Sequence, residues 1–284
     1  PCSFCAIPLM RGKHVSKPIE QLVNEAKALV RDGIKEIMLI AQDSTFYGID
    51  LYGERKLAEL MDRLSDVEGL DWIRLHYAYP SKFPFDVLPI INSKPNICKY
   101  LDIPIQHISD NVLKSMRRGI TKRRTEEVLD RIRSEVDNIA LRTTLLVGHP
   151  GEYDQDFEEL KDFVNRYQFN RLGVFTYSHE DGTHAGTLED HVSQEIKSAR
   201  ADEIMGIQHD ISFAHNQKLI GSTQKVIIDR IEGDSYIGRT QFDSPEVDNE
   251  VIISLNEGYL RVGDFTNATI TGAESFDLIA KLNK

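Results

Sequence analysis

Five short apolar runs recur at residues 36–41, 72–79, 99–105, 139–147 and 172–177. Each runs into polar residues and then an amphipathic stretch, and no other feature narrows the choice of fold as far. The stretches 19–31, 57–64, 86–91, 111–117, 125–136, 155–167 and 194–218 carry apolar residues at helical spacing. In 19–31, Leu22, Ala26 and Leu29–Val30 share one face, and Gly33 follows as a stop. Strand and helix alternating at this interval predict a parallel sheet with right-handed crossovers, either closing toward a barrel or open and doubly wound. In both architectures ligands gather at the carboxyl ends of the strands. The polar clusters fall there, at 42–43, 76–79, 106–107, 148–152 and 178–180.

After Gly221 the pattern changes. Short, alternating, β-branched runs at 225–229, 236–240, 251–255 and 265–271 are separated by turns such as Glu232-Gly233-Asp234. A tail of this kind predicts a small OB-like β-barrel. The expected division is an α/β domain at 1–219 and an all-β domain at 220–284.

Composition sets outer limits. The chain has 284 residues, 40% hydrophobic and 28% charged, which is ordinary for a water-soluble protein. No apolar run approaches the roughly 20 residues of a membrane helix. Three cysteines are too few for a disulfide scaffold, so a reducing cytoplasm is expected. A formal charge of −11 argues against broad nucleic-acid binding, which needs a basic face, and suits a basic protein partner.

The chemistry-bearing feature is Cys2-Ser3-Phe4-Cys5. Two thiolates at this spacing fit half of a zinc site, a redox dithiol, or two of three ligands of an iron–sulfur cluster. Cys5 runs into Ala6-Ile7-Pro8, which favours a turn over a continuing helix. Cys98 precedes an apolar run and reads as a small buried hydrophobe.

Cys5-Ala6-Ile7-Pro8 with Arg11-Gly12, Ile40-Ala41-Gln42-Asp43-Ser44-Thr45 with Tyr47-Gly48, and Tyr100-Leu101-Asp102-Ile103-Pro104-Ile105-Gln106-His107 carry a resemblance to the radical AdoMet methylthiotransferases. Arg142-Thr143-Thr144, Gly173-Val174-Phe175, Gly238-Arg239-Thr240 and Pro245-Glu246-Val247-Asp248 extend it along nearly the whole chain. His149 departs from the Phe usual before Pro-Gly-Glu.

The resemblance implies a partial (βα)6 TIM-like barrel, its first strand lying before Pro1, followed by a TRAM domain. It makes Cys2 and Cys5 the second and third ligands of a 4Fe–4S cluster, with the first ligand upstream of Pro1. A domain holding a second cluster would also lie upstream, so this chain alone is not expected to turn over. S-adenosylmethionine would bind the open iron and be split to a radical that attacks an aspartate β-carbon. Phe4, Gln42, Gln106, Arg142, Gly148 and Tyr177 are the candidates for holding the cofactors, with Arg142 meeting the methionine carboxylate. Asp43, Tyr47, His107 and Glu180 are the candidates for touching substrate. Several also have a structural reading, as an ion pair for Arg142, a strand-end cap for Gln106, His107, Asp43 and Tyr47, or a tight turn for Gly148.

The expected substrate is a small-subunit ribosomal protein rather than tRNA. The tail carries six cations against eleven carboxylates, a net −5 that suits a basic protein better than phosphate. A tRNA adenosine methylthiotransferase and a non-catalytic ribosome- or RNA-binding module are the alternatives. An electron donor is also required, and the sequence does not identify it.

Overall fold

In the computed structural model, which describes residues 2–283, the alternation folds as a five-stranded parallel sheet. The strands are β1 (Glu36–Leu39), β2 (Trp72–Leu75), β3 (Ile97–Asp102), β4 (Ala140–Val147) and β5 (Arg171–Thr176). They lie in sequence order, β1-β2-β3-β4-β5. A doubly wound sheet would reverse direction partway, whereas here every crossover steps the same way. The helices that cover the sheet therefore lie on one face, and the sheet curls like part of a barrel. The register between β4 and β5 runs unbroken from Arg142 opposite Arg171 to Val147 opposite Thr176.

Along each strand the side chains alternate between the two faces. Ile73, Leu75, Leu101, Leu141 and Leu145 point to the helices. There they meet α4 (Leu57–Ser65), α5 (Val87–Ser93), α7 (Lys122–Glu135) and α8 (Asp154–Tyr167) through residues such as Leu60, Ile91, Leu129 and Phe163. The intervening residues Trp72, Arg74, Cys98, Tyr100, Ala140 and Arg142 line the inner face. This face is what the tail domain and the candidate site share.

β2 and β3 end well before their apolar runs do. β2 stops at Leu75 because Tyr77 takes a positive φ of 54° and turns the chain toward Pro80. β3 stops at Asp102 because Pro104 has no N–H for the ladder. Beyond it Gln106 rejoins the sheet by a single bridge to Leu145.

The long helix α9 (Gln194–Gln217) leads into a closed barrel of five strands, ordered β10-β8-β7-β6-β9. These are β6 (Thr223–Glu232), β7 (Ser235–Thr240), β8 (Glu250–Ser254), β9 (Phe265–Ala273) and β10 (Asp277–Leu282). The barrel has its own core of Val226, Ile228, Val251, Ile253, Ile270 and Leu278.

The barrel is seated against the amino-terminal half of the inner sheet face. Trp72, Cys98, Tyr100 and Ala140 pack on Ile227, Phe242 and Phe265. Around this contact arginines meet carboxylates across the junction. Arg142 contacts Asp102 at 3.0 Å and Asp248 at 3.2 Å, Arg171 contacts Asp243, and Arg239 and Arg74 share Glu36. Burial holds Cys98 protonated, its thiol pushed up to about 12. No helix is long and apolar enough to cross a membrane, among the described residues.

Candidate functional site at the carboxyl end of the sheet

The cysteine loop lies across the carboxyl ends of the strands. It forms a turn in which the Cys5 N–H donates to the Cys2 carbonyl at 3.3 Å, so both thiols belong to one bend. Ser3, between them, is buried and tied three ways. Its N–H donates to the Met116 carbonyl at 2.8 Å, its carbonyl accepts from the Ala185 N–H at 2.8 Å, and its hydroxyl lies 3.4 Å from His149 Nε2. Met116 follows α6 (Asp110–Ser115), His149 follows β4 and Ala185 follows β5. One short loop is thus fastened to three strand-end segments. Phe4 is its apolar foot, packed on Val112, Met116, Leu146, Tyr177 and Ala185, with its ring edge-on to His149.

Both cysteine sulfurs are half-buried and free of disulfides. Cys2 Sγ accepts a hydrogen bond from Arg118 Nη1 at 3.0 Å and lies 3.5 Å from the Tyr79 hydroxyl. Burial pushes Tyr79 up to about 12, so it stays protonated and can donate to sulfur. Arg118 is 5% exposed, stacked 4.3 Å over the Tyr79 ring, and also donates to the Pro104 carbonyl. Among the described residues no three His, Cys, Asp or Glu side chains gather as they would around a metal ion. The donor set is two thiolates beside a cation and a phenol. It fits a group that takes cysteine sulfur and draws a further ligand from elsewhere. The Tyr177 hydroxyl, buried below the loop, has no hydrogen-bond partner among the described residues.

The remaining predicted residues divide. Gln106 is half-buried in the bridge beside Leu145, close to Leu146 under Phe4. Its N–H donates to Thr144 and its carbonyl accepts from Leu146. Its side-chain amide makes no hydrogen bond among the described residues. Gln42, beyond β1, and Glu180, beyond β5, are exposed. Beside them the carboxyl half of the inner face is open and apolar, with Ile40 61% and Phe175 64% exposed.

Five residues are placed for structural work. Arg142 lies at the other end of the sheet, near the start of β4, with its guanidinium taken by Asp102 and Asp248; a ligand carboxylate would have to displace them. Gly148 approaches protein, not ligand: a Cβ there would lie 2.3 Å from Lys197 Cγ, and its N–H donates to Glu152. His107 is fully buried, with Nδ1 accepting from the Ser109 N–H and Nε2 3.7 Å from Glu152. Burial depresses it to about 3, so it is neutral. Asp43 caps the short turn after β1, accepting from the N–H and hydroxyl of Thr45. Tyr47 is buried and donates to the Lys17 carbonyl at 2.8 Å.

Sequence reasoning missed Arg118. Its neighbour Arg117 is exposed, and the two are indistinguishable as a basic pair. Only the positive φ of 54° at Arg117 turns the chain so that Arg118 enters the site.

Comparisons with known proteins agree with this geometry. The model of the Radical SAM superfamily matches residues 1–164, and that of the TRAM domain matches residues 220–282. Among curated proteins, ribosomal protein uS12 methylthiotransferase RimO from Flavobacterium johnsoniae is 56% identical over 278 residues, covering 98% of this chain and 64% of that protein. RimO from Cytophaga hutchinsonii is 55% identical over 284 residues, covering 100% of this chain and 65% of that protein. The chain thus spans about two thirds of the length of the relatives it matches, at 64% and 65%. Among solved structures, Escherichia coli coproporphyrinogen III oxidase HemN, described as a radical SAM enzyme, aligns with a TM-score of 0.53 at 13% identity, over 78% of this chain and 60% of that one. The radical S-adenosylmethionine methyltransferase TsrM from Kitasatospora setae aligns with a TM-score of 0.53 at 19% identity, over 65% of this chain and 36% of that one. These two likenesses concern the fold. Together with the two thiols at the carboxyl mouth of a singly wound parallel sheet, the family match shows that the chain belongs to the Radical SAM superfamily.

Proposed function

We propose that this chain, divided at about residue 219, is the radical-forming domain and TRAM domain of a methylthiotransferase that modifies an aspartate of ribosomal protein uS12 in the cytoplasm. One observation carries the reading. Cys2 and Cys5 share a bend fastened across the strand ends, in a chain more than half identical along its whole length to RimO proteins.

Cys2 and Cys5 would hold two irons of a 4Fe–4S cluster. When bound, that cluster supplies the electron that splits S-adenosylmethionine and begins the radical chemistry. The chain's own residues do the rest. Phe4, Met116 and Tyr177 seal the loop from below, which keeps water from a reactive species. The Gln106 amide and Tyr177 hydroxyl, both without partners among the described residues, offer hydrogen bonds to the cofactor, and exposed Gln42 offers another at the β1 end. Ile40 and Phe175 present apolar surface that a bound cofactor or peptide would cover. Exposed Glu180 stands at the rim, where it can meet a basic substrate.

The tail supports a protein substrate. Arg239, one of its six cations, is buried against Glu36 and absent from the surface. Glu232, Asp234, Glu246 and Glu274 remain exposed, and such a surface attracts a basic ribosomal protein. The test uses full-length protein, reconstituted anaerobically with iron and sulfide, and offered uS12 and tRNA separately. A methylthio increment on an aspartate peptide of uS12, with none on tRNA, is the expected result. Modification of tRNA adenosine instead, or failure to take up iron, would overturn the proposal.

A further inference from the structure

Arg118 differs from every other buried arginine of the sheet domain and its junction. Arg74, Arg171, Arg200 and Arg239 each meet a carboxylate, as does half-buried Arg142. Arg118 is as deeply buried as the first four, yet among the described residues no carboxylate meets it, and its side-chain neighbours are the Cys2 sulfur and the Tyr79 ring. One arm of its fork is fixed on the Pro104 carbonyl, the plane is fixed on the Tyr79 ring, and Nη1 is left aimed at Cys2 Sγ at 3.0 Å. Its Nε is buried without a partner among the described residues. A guanidinium taken out of water at such cost must find its counter-charge nearby. Here that counter-charge is the Cys2 sulfur as a cluster ligand, together with the cluster it carries.

We propose that Arg118 is a positioning residue that fixes the Cys2 sulfur and makes a cluster bound to it easier to reduce. The inference rests on the cluster reading above and adds to it a role for one residue. An N–H donor on a ligand sulfur, and a fixed positive charge beside it, both favour the more electron-rich state of the iron centre. Arginine suits the task because its fork can hold a carbonyl and a sulfur at once and cannot lose its proton.

The experiment is a redox titration of reconstituted full-length protein, without S-adenosylmethionine, read by electron paramagnetic resonance. At a potential where the wild type is half reduced, R118M is expected to show a reduced-to-oxidised ratio about tenfold lower, the size of one charge-assisted hydrogen bond. R118K, which keeps the charge and loses the fork, should fall between them. R118M with full iron and an unchanged ratio would overturn the proposal. If R118M does not retain iron, R118K and R118Q are compared: a higher ratio in R118K supports it, and equal ratios overturn it. Loss of iron from all three variants would mark Arg118 as purely structural and also overturn it. A wild type that takes up no iron refutes the cluster reading itself, so the two failures are distinguishable.

Discussion

The two ends of the inner sheet face are built from the same residue types and do opposite things. At the amino end, Arg74, Arg142, Arg171 and Arg239 are each matched by a carboxylate, and the tail barrel covers them. At the carboxyl end, among the described residues, Arg118 has only sulfur and oxygen for partners, the Tyr177 hydroxyl has none, and Ile40 and Phe175 face outward. Balanced charge and covered surface make a junction. Unbalanced charge and open apolar surface make a site. The contrast teaches that a buried arginine gains its meaning from its partner, so Arg142 and Arg118 separate only once the fold has placed them.

The largest expected effect breaks one end and spares the other. C5A in the full-length protein should lose the brown chromophore and all cleavage of S-adenosylmethionine, read by iron content and 5′-deoxyadenosine release. The side chain is half-buried, so the urea midpoint should move little, by roughly 0.5 kcal/mol or less. A C5A protein that still holds its full iron would show that the two ends do not divide as described.

The reverse experiment strikes the junction. Asp248 accepts from Arg142 and from the Tyr100 hydroxyl at 2.7 Å. D248A leaves the largely enclosed Arg142 guanidinium with one carboxylate, Asp102, and a long contact to Thr144 Oγ1 at 3.4 Å, and loss of one partner of a buried pair costs about 3–5 kcal/mol. Urea denaturation should report that loss, or a separate early transition of the tail barrel. Iron uptake by the loop, at the far end of the strands, should persist.

How much of this was legible in the sequence follows the same division. The strand–helix alternation, the placement of the polar clusters and the change of pattern near Gly221 are periodic signals, so they survive without coordinates. The fifth tail strand, β10, is not among the four runs picked out in the tail, because its run 277–282 is short and interrupted by Lys281. Cys2 and Cys5 declare themselves by spacing. Arg142, Gly148, His107, Asp43 and Tyr47 do not, because whether a polar residue serves a ligand or another side chain depends on contacts far along the chain. Asp248 is 106 residues from Arg142, and no local pattern encodes that pairing.

Protonation distinguishes the ends more gently. His76, at the junction, donates to or accepts from Ser244 Oγ at 3.0 Å, and burial lowers it from 6.5 to about 4. His107, behind the site, is lowered from 6.5 to about 3 by burial. A depressed histidine is neutral when folded and protonated when unfolded across that window, so the unfolded chain binds more protons. Stability therefore falls as pH drops below about 6.5, by at most about 1.4 kcal/mol per pH unit for each group. The loss from His76 should level off near pH 4, while that from His107 continues toward pH 3. Urea midpoints of wild type and H76Q between pH 6.5 and 4 check this, with the shallower slope expected in H76Q. An equal slope would mean that the junction admits the charge.

The smallest effect concerns what holds the cysteine loop in place. His149 is fully buried between Phe4 and Tyr177, with Nδ1 2.8 Å from the Pro150 carbonyl and Nε2 3.4 Å from Ser3 Oγ. The bond to Ser3 is long, and the ring's contribution is mostly packing. H149F trades a weak hydrogen bond for apolar fit of similar volume. Such exchanges typically cost under about 1.5 kcal/mol. Burial also depresses His149, so the phenylalanine should remove a little of the acid sensitivity as well. If the backbone ties of Ser3 to Met116 and Ala185 carry the loop, iron content in H149F should match the wild type. A marked fall in iron with an unchanged urea midpoint would instead assign the anchoring of the two thiols to the imidazole.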